Sequence, residues 1–362
     1  MAGIYVHIPF CKKRCLYCDF FSTTLLARRE EYIAALLKEI EIRRDETGEP
    51  FRTIYIGGGT PSTLEAKDIQ HILYAIGTDE AEEITMELNP GDATEAYMHA
   101  IRRAGVNRLS IGIQSFDDEL LTLIGRRHNA QQAIEAVHMA QQAGFDNLSI
   151  DLMYALPTQS MEHWQADIEQ ALQLGVQHIS SYGLMYEEGT ALTRQLEQGV
   201  LKAIDEDTEN AMYDTLCQRL QQAGFVHYEV SNFALPGYEA KHNSSYWNGT
   251  SYTGVGAGAH SYVQGVRSWN PDDLDSYIRG INDGTLVRES ETLTDKDLYN
   301  ERIMLGLRTN RGIVLPSSVH SRSDIERLTQ EGLLRETAEG RIVATQQGLH
   351  ILNRIIEELM ID

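Results

Sequence analysis

Three of the four cysteines in this chain fall within eight residues, at Cys11, Cys15 and Cys18, and no other feature limits so tightly what the chain can be. The spacing C-x3-C-x2-C is tighter than a zinc site needs. It is also one thiolate short of the four that ordinarily saturate an iron–sulfur cluster. A cluster held by three thiolates leaves one iron open to a ligand, much as three-ligand zinc enzymes keep a position for substrate. A zinc site lacking its fourth ligand and three unrelated thiols are the alternatives. The loop follows a β-branched apolar run, Ile4 to Ile8, that predicts a first strand. The cysteines therefore lie at a strand's C-terminal end, where parallel α/β folds keep their sites.

The rest of the chain reads as housing for that loop. Apolar β-branched runs at Ile4–Ile8, Thr53–Ile56, Glu83–Leu88, Arg108–Ile113, Asn147–Leu152 and His178–Tyr186 alternate with helical patterns at Arg28–Arg44, Glu65–Ile76, Thr94–Ala104, Ala130–Ala143 and Met161–Leu174. This alternation predicts an α/β fold with a parallel sheet wrapped by helices. Gly105, Gly144 and Gly224 each follow an Ala where a helix needs a left-handed residue to end. A length of 362 residues suggests one large domain and a smaller one. We divide the chain into a barrel at 1–235, a glycine- and aromatic-rich connecting region at 236–291, and a mainly helical domain at 292–362. Within the last, helices are expected at Asp295–Leu307, Ser321–Glu331 and Gln347–Met360, with a short hairpin near Arg335–Ala344.

Thirty-one basic against 53 acidic side chains give a net charge of −22, which repels phosphate backbones and excludes nucleic acid as the expected partner. Cluster chemistry needs reduced thiols, and four cysteines offer no disulfide framework, so a cytoplasmic location is expected. The opening residues lack the basic and apolar regions of a secretory signal, and no run approaches membrane-spanning length.

Polar residues interrupt the strand ends. After the second strand comes Gly57-Gly58-Gly59-Thr60-Pro61-Ser62, where missing side chains let a ligand meet backbone amides directly; a tight strand-to-helix turn is the alternative. Glu87, Gln114 and Asp151 close the third, fourth and fifth strands. A buried carboxylate there is costly unless paired or bound to ligand, although each residue would also serve as a helix cap.

The cysteine stretch, with aromatic Tyr17 before its last thiol, resembles the radical SAM proteins. The resemblance implies a partial (β/α)6 barrel and a [4Fe-4S] cluster on Cys11, Cys15 and Cys18, whose open iron chelates the amino and carboxylate groups of S-adenosylmethionine (SAM). It places Gly58, Gly59 and Thr60 at the methionine amine and the fork of Arg126 at its carboxylate. The series Tyr5, Cys11, Cys15, Cys18, Gly58, Gly59, Thr60, Glu87, Gln114, Arg126 and Asp151 is similar, in order and spacing, to the cluster- and SAM-binding set of the oxygen-independent coproporphyrinogen III oxidase family. One departure matters. Decarboxylating members extend the motif by a further cysteine, and this chain carries Phe20 there. Downstream, His242-Asn243-Ser244-Ser245-Tyr246-Trp247 and the run Gly254 to His260 resemble the HemW branch of haem chaperones.

Read for its chemistry alone, that second segment puts an imidazole beside two flat apolar faces and a close backbone, which together would form a haem-sized slot. A structural histidine is the alternative for His242. His260 is a weaker candidate, Gly254-x-Gly256-x-Gly258 lacks the context of a dinucleotide site, and Cys217 falls on the apolar face of a helix with Met212, Leu216 and Leu220. Two functions compete. One is a haem chaperone binding haem, cluster and SAM and passing haem to an apo-protein acceptor, with a membrane-bound acceptor and a homodimer left open. The other is a radical SAM oxidase that decarboxylates a porphyrinogen.

Overall fold

A computed structural model describes residues 2–314 and 322–361. Strands β1 (Ala2–Ile8), β2 (Phe51–Gly58), β3 (Glu83–Leu88), β4 (Arg108–Gln114), β5 (Leu148–Tyr154) and β6 (His178–Gly183) lie side by side in chain order, all parallel. Helices α1 (Arg29–Arg43), α2 (Ala66–Ile76), α3 (Glu95–Ala104), α4 (Asp118–Leu123), α5 (Ala130–Gln142) and α6 (Met161–Gln173) fill the connections. Along each strand one set of alternate residues is apolar and fully covered: Ile4, Val6 and Ile8; Ile54 and Ile56; Leu109, Ile111 and Ile113. These pack outward against the helices. The intervening positions carry Tyr5, Tyr55, Glu87, Arg108, Ser110, Asp151, Ser180 and Tyr182, and these line an interior cavity. Period-2 alternation thus divides each strand between an oily outer face and a polar lumen.

Two sequence expectations shift at their ends. β6 stops at Gly183, short of Tyr186, because its ladder partner β5 ends at Tyr154, opposite Gly183. Helix α4, which the sequence reading missed, is a single six-residue element whose N-cap Asp117 accepts from the Glu119 and Leu120 amides.

After β6 come α7 (Ala191–Glu197), α8 (Glu206–Gln222), β7 (Val226–Glu229), β8 (Asn232–Ala234), α9 (Lys241–Trp247), β9 (Tyr252–Val255), β10 (His260–Val263), β11 (Val266–Trp269), α10 (Leu274–Asp283) and β12 (Glu289–Thr292). β9 pairs in parallel with β1 on the side opposite β2, and β10, β11 and β12 follow antiparallel. On the far edge, β8 and β7 run antiparallel beyond β6. Most of the region read as a connection therefore extends the barrel sheet itself. The remaining elements are α11 (Asp295–Gly306), α12 (Arg322–Gln330), the hairpin β13 (Leu334–Glu336) and β14 (Ile342–Ala344), α13 (Gln346–His350) and α14 (Leu352–Leu359). The helix expected from Ser321 begins within the described residues at Arg322, Ser321 lying outside them. The helix expected over Gln347–Met360 is two helices that meet at Ile351. A separate apolar cluster, including Ile303, Leu307, Leu328, Ile355 and Leu359, holds this segment together.

A buried polar clasp joins α1 to the β9 region. Glu39 and Arg43, 1% and 6% exposed, pair at 2.8 Å. Glu39 also accepts from the Gly256 amide at 2.7 Å, the Tyr277 hydroxyl at 2.7 Å and the Asn270 amide at 2.7 Å. Arg43 donates to the Gly254 carbonyl at 2.6 Å and to Ser261 at 2.9 Å. No side chain fits at Gly254, where a Cβ would sit 1.9 Å from the His260 carbonyl oxygen. Arg43 keeps a second partner in Glu46 at 2.6 Å, but Glu39→Ala strands three buried donors, the Gly256 amide, the Tyr277 hydroxyl and the Asn270 amide, so it is expected to lower the unfolding free energy by about 3–5 kcal/mol, read by denaturant titration. A change below about 1 kcal/mol, the range of an exposed pair, would show that water already screens the clasp.

Candidate functional site

A cavity of about 510 Å³ opens at the C-terminal ends of the strands. Cys11, Cys15, Tyr17 and Cys18 reach it from the loop after β1, Gly58, Gly59 and Thr60 from the end of β2, and Glu87, Gln114 and Asp151 from β3, β4 and β5. Arg126 comes from the turn between α4 and α5, and Tyr5 from β1. Every candidate site residue except His242 lines this one space. Among the described residues no three His, Cys, Asp or Glu side chains are gathered as they would be around a single ion. A cluster that gives each thiolate its own iron does not require that.

The backbone around the cavity is shaped for close approach. Gly58 has φ +114°, and a Cβ there would lie 2.6 Å from the His7 ring; one on Gly59 would lie 2.8 Å from the Pro9 carbonyl carbon. Gln114 holds φ +76° at a register break in the β4–β5 pairing, a left-handed strain that a non-glycine residue keeps only where the surroundings impose it. The side chains are equally constrained. The Thr60 hydroxyl lies 3.3 Å from Cys11 Sγ, and Arg126 Nη1 donates to Cys15 Sγ at 3.4 Å and its Nη2 to the Gly112 carbonyl. Arg126 Nε is buried without a partner among the described residues. Glu87 accepts from the Tyr55 hydroxyl at 2.9 Å and from the Gly58 amide at 3.0 Å. Asp151 accepts from Ser110 at 3.1 Å.

Burial controls the charges here. It pushes the Glu87 carboxyl up to about 7 and the Asp151 carboxyl up to about 6, against the opposing pull of their hydrogen bonds. Burial likewise raises the Cys11 and Cys18 thiols, and raises Tyr5 and Tyr17 further from ionisation. Carboxyls so destabilised as anions favour a cationic ligand, which would restore their charge.

The sequence reading missed the lumen's lower wall. Arg108, at the start of β4, is 1% exposed, and no carboxylate lies within ion-pair distance of it among the described residues. Ser110, Ser180, Tyr182 and Asn243 also line the cavity. The signal for Arg108 and Ser110 was present in the alternation R-L-S-I-G-I-Q of β4, which sends Arg108, Ser110, Gly112 and Gln114 to one face.

His242 does not belong to this set. It sits on α9 at 0% exposure, with Nδ1 2.9 Å from Thr53 Oγ1 and Nε2 2.8 Å from the Tyr246 hydroxyl. Its ring stacks on Tyr55 with centroids 5.3 Å apart. The Lys241 and His242 amides donate to Glu83 at 2.8 and 2.9 Å, so α9 caps the N-terminal ends of β2 and β3, opposite the cysteines. Burial pushes the imidazole down to about 3. The expected slot is not formed by its three components. Trp247 lines a different cavity, and a Cβ on Gly256, in the glycine run, would meet the Tyr32 hydroxyl at 2.5 Å. Residues four apart on a helix touch each other, which gives His242 Nε2 to Tyr246, and packing against β2 gives Nδ1 to Thr53, so both ring nitrogens are spent.

The residues present fit a cluster and SAM: three thiols on one wall, a glycine cradle that any side chain would fill, an unpartnered guanidinium nitrogen, and two destabilised carboxyls. A parallel partial barrel with this arrangement after its first and second strands defines a radical SAM protein, and residues 5–171 match the Radical SAM superfamily. The chain is 36% identical to "Heme chaperone HemW" of Lactococcus lactis, with 99% of this chain and 97% of that protein covered. It is 34% identical to the protein of the same name in Bacillus subtilis, with 98% of each covered. The chain belongs to the HemW family. Its fold is also that of the Escherichia coli coproporphyrinogen III oxidase HemN, with a TM-score of 0.83 over 99% of this chain and 90% of that one. At 22% identity that likeness speaks for the fold alone.

Proposed function

We propose that this protein is a haem chaperone: it holds a [4Fe-4S] cluster and SAM in the barrel cavity, binds haem, and delivers it to an acceptor protein. The observation that carries this reading is the full-length similarity to curated haem chaperones. The intact cavity supports its cluster and SAM component. Cys11, Cys15 and Cys18 would ligate the cluster, Gly58, Gly59 and Thr60 would seat the methionine amine against Glu87, and Arg126 would meet its carboxylate. Held there, a reduced cluster would be placed to donate an electron to the sulfonium of SAM. Phe20, 72% exposed on the cavity wall, weighs against the oxidase reading, because a phenyl ring neither exchanges protons nor ligates metal. We place the protein in a reducing, cytoplasmic setting and leave open both a membrane-bound acceptor and a homodimer. No helix among the described residues is long and apolar enough to cross a membrane.

The test is an anaerobic assay of the reconstituted protein with coproporphyrinogen and, separately, with haem. Near-stoichiometric haem uptake, transfer to an apo-acceptor and no formation of protoporphyrinogen are expected. Turnover of coproporphyrinogen without haem uptake would make the oxidase reading correct. His242→Ala is expected to cost about 1–3 kcal/mol of stability, since it strands Thr53 and Tyr246 without their partner, while leaving the haem spectrum unchanged. A changed axial-ligand spectrum in that variant would return His242 to the haem site.

A further inference from the structure

A second cavity of about 690 Å³ lies apart from the cysteines, between α9, the β10 strand and the segment from α11 to residue 314. Three aromatic rings, Tyr228, Trp247 and Tyr262, and aliphatic side chains including Leu298, Leu305 and Ile313 furnish its apolar lining. Arg302 and Arg311 stand on the same lining, both exposed. Neither guanidinium has a hydrogen bond or ion pair among the described residues, whereas the third cation there, Arg341, is spent on the carbonyls of Arg311 and Gly312. The two acids on the lining are engaged elsewhere: Glu301 pairs with Arg267, and Glu239 accepts from the Gly237 amide at 3.1 Å. In a chain of net charge −22, a cleft with two uncommitted cations beside flat apolar faces is complementary to a planar apolar ligand bearing two carboxylates.

We propose that haem binds in this second cavity, its ring against Trp247 and Tyr262 and its two propionates on Arg302 and Arg311. The assignment rests on the haem-chaperone reading and gives it a site outside the barrel, so haem and SAM do not compete for space. It also accounts for the second segment of the sequence differently. His242 secures α9 against β2 and β3, and the same helix turns Ser244 and Trp247 toward the cleft. Among the described residues no histidine, cysteine or methionine lines the cavity. Recognition therefore falls to ring contact and carboxylate pairing, and the metal contributes little.

Three probes test this on the full chain: haem, iron-free protoporphyrin IX, and protoporphyrin IX dimethyl ester, titrated by absorbance and tryptophan fluorescence. Haem and protoporphyrin IX are expected to bind with similar affinity and the ester at least about tenfold more weakly, since it lacks both charge-assisted pairs. Arg302→Glu with Arg311→Glu is expected to weaken haem binding by at least about tenfold and to leave the ester unaffected. Both arginines are exposed and unbonded, so the double variant should fold, and Trp247→Phe provides a milder variant that retains a ring. Haem affinity within twofold of wild type in the double variant, or equal binding of the ester, would overturn the site while leaving the chaperone reading standing. Absence of haem uptake by the wild-type protein would overturn both.

Discussion

Anaerobic reconstitution with iron and sulfide is expected to load one [4Fe-4S] cluster, and Cys11→Ala, Cys15→Ala and Cys18→Ala are each expected to abolish it while Cys217→Ala leaves it intact. The three thiols line a single cavity from one loop. Cys217 sits on α8, half-buried against the core, its thiol pushed up to about 11 by burial, so it stays protonated at neutral pH, and it does not line the cavity of the other three thiols. Iron content and the cluster's visible absorption give the readout. Retention of a full cluster in Cys15→Ala, or its loss in Cys217→Ala, would sink the ligand assignment.

SAM affinity is expected to depend on both the cluster and pH. Glu87, the carboxyl placed against the glycine cradle, titrates near 7 in the ligand-free protein. Below that pH the carboxyl is neutral and cannot pair with the methionine ammonium, so affinity should rise as pH increases through about 7. Removing the charge in Glu87→Gln should flatten the profile, and Glu87→Ala or Arg126→Ala should cost about 1.5–3 kcal/mol of binding, the scale of a charge-assisted hydrogen bond. Calorimetry across pH 5.5–8 reads both, the range being set roughly around the shifted carboxyl. Unchanged affinity in both alanine variants would remove these residues from the site.

Stability of the ligand-free protein carries the same carboxyl with the opposite sign. Its folded pKa of about 7 lies above the ordinary 4.5, so between those values the folded state binds more protons than the unfolded one. Its contribution to stability therefore falls as pH rises through that window, and levels off above it. Bound SAM should reverse the trend by pairing the charge.

Much of the barrel was legible because its signals are local. The C-x3-C-x2-C loop, the glycine run and the alternation of apolar runs with helical periods all lie within a few residues of one another, and the capping glycines Gly105, Gly144 and Gly224 do adopt positive φ. Once strands and helices alternate, right-handed crossovers leave few ways to arrange them, and the strand ends must share one face. Local order along the chain was therefore enough to gather Cys11, Gly58, Glu87, Gln114 and Asp151 at one mouth, whereas Arg126, in a turn between helices, was placed there only by family resemblance.

What the sequence could not determine was set by contacts between residues far apart in the chain. Glycine-rich Gly254 to Ala259 reads equally well as a ligand loop or a packing surface. Only the pairing of β9 with β1, some 250 residues distant, and the clasp on Glu39 and Arg43 make it packing. A histidine four residues before a tyrosine on a helix has no direction until the helix is docked. Thr53 and Glu83, on two different strands, turn His242 inward and bury it, because a helix seated over strand ends must satisfy its own amides and ring nitrogens there. The same docking exposes Trp247 to a second cleft, whose other wall comes from residues 298–313. Side-chain type along the chain specified which groups were available, and tertiary packing decided which of them are spent holding the fold and which are left to meet a ligand.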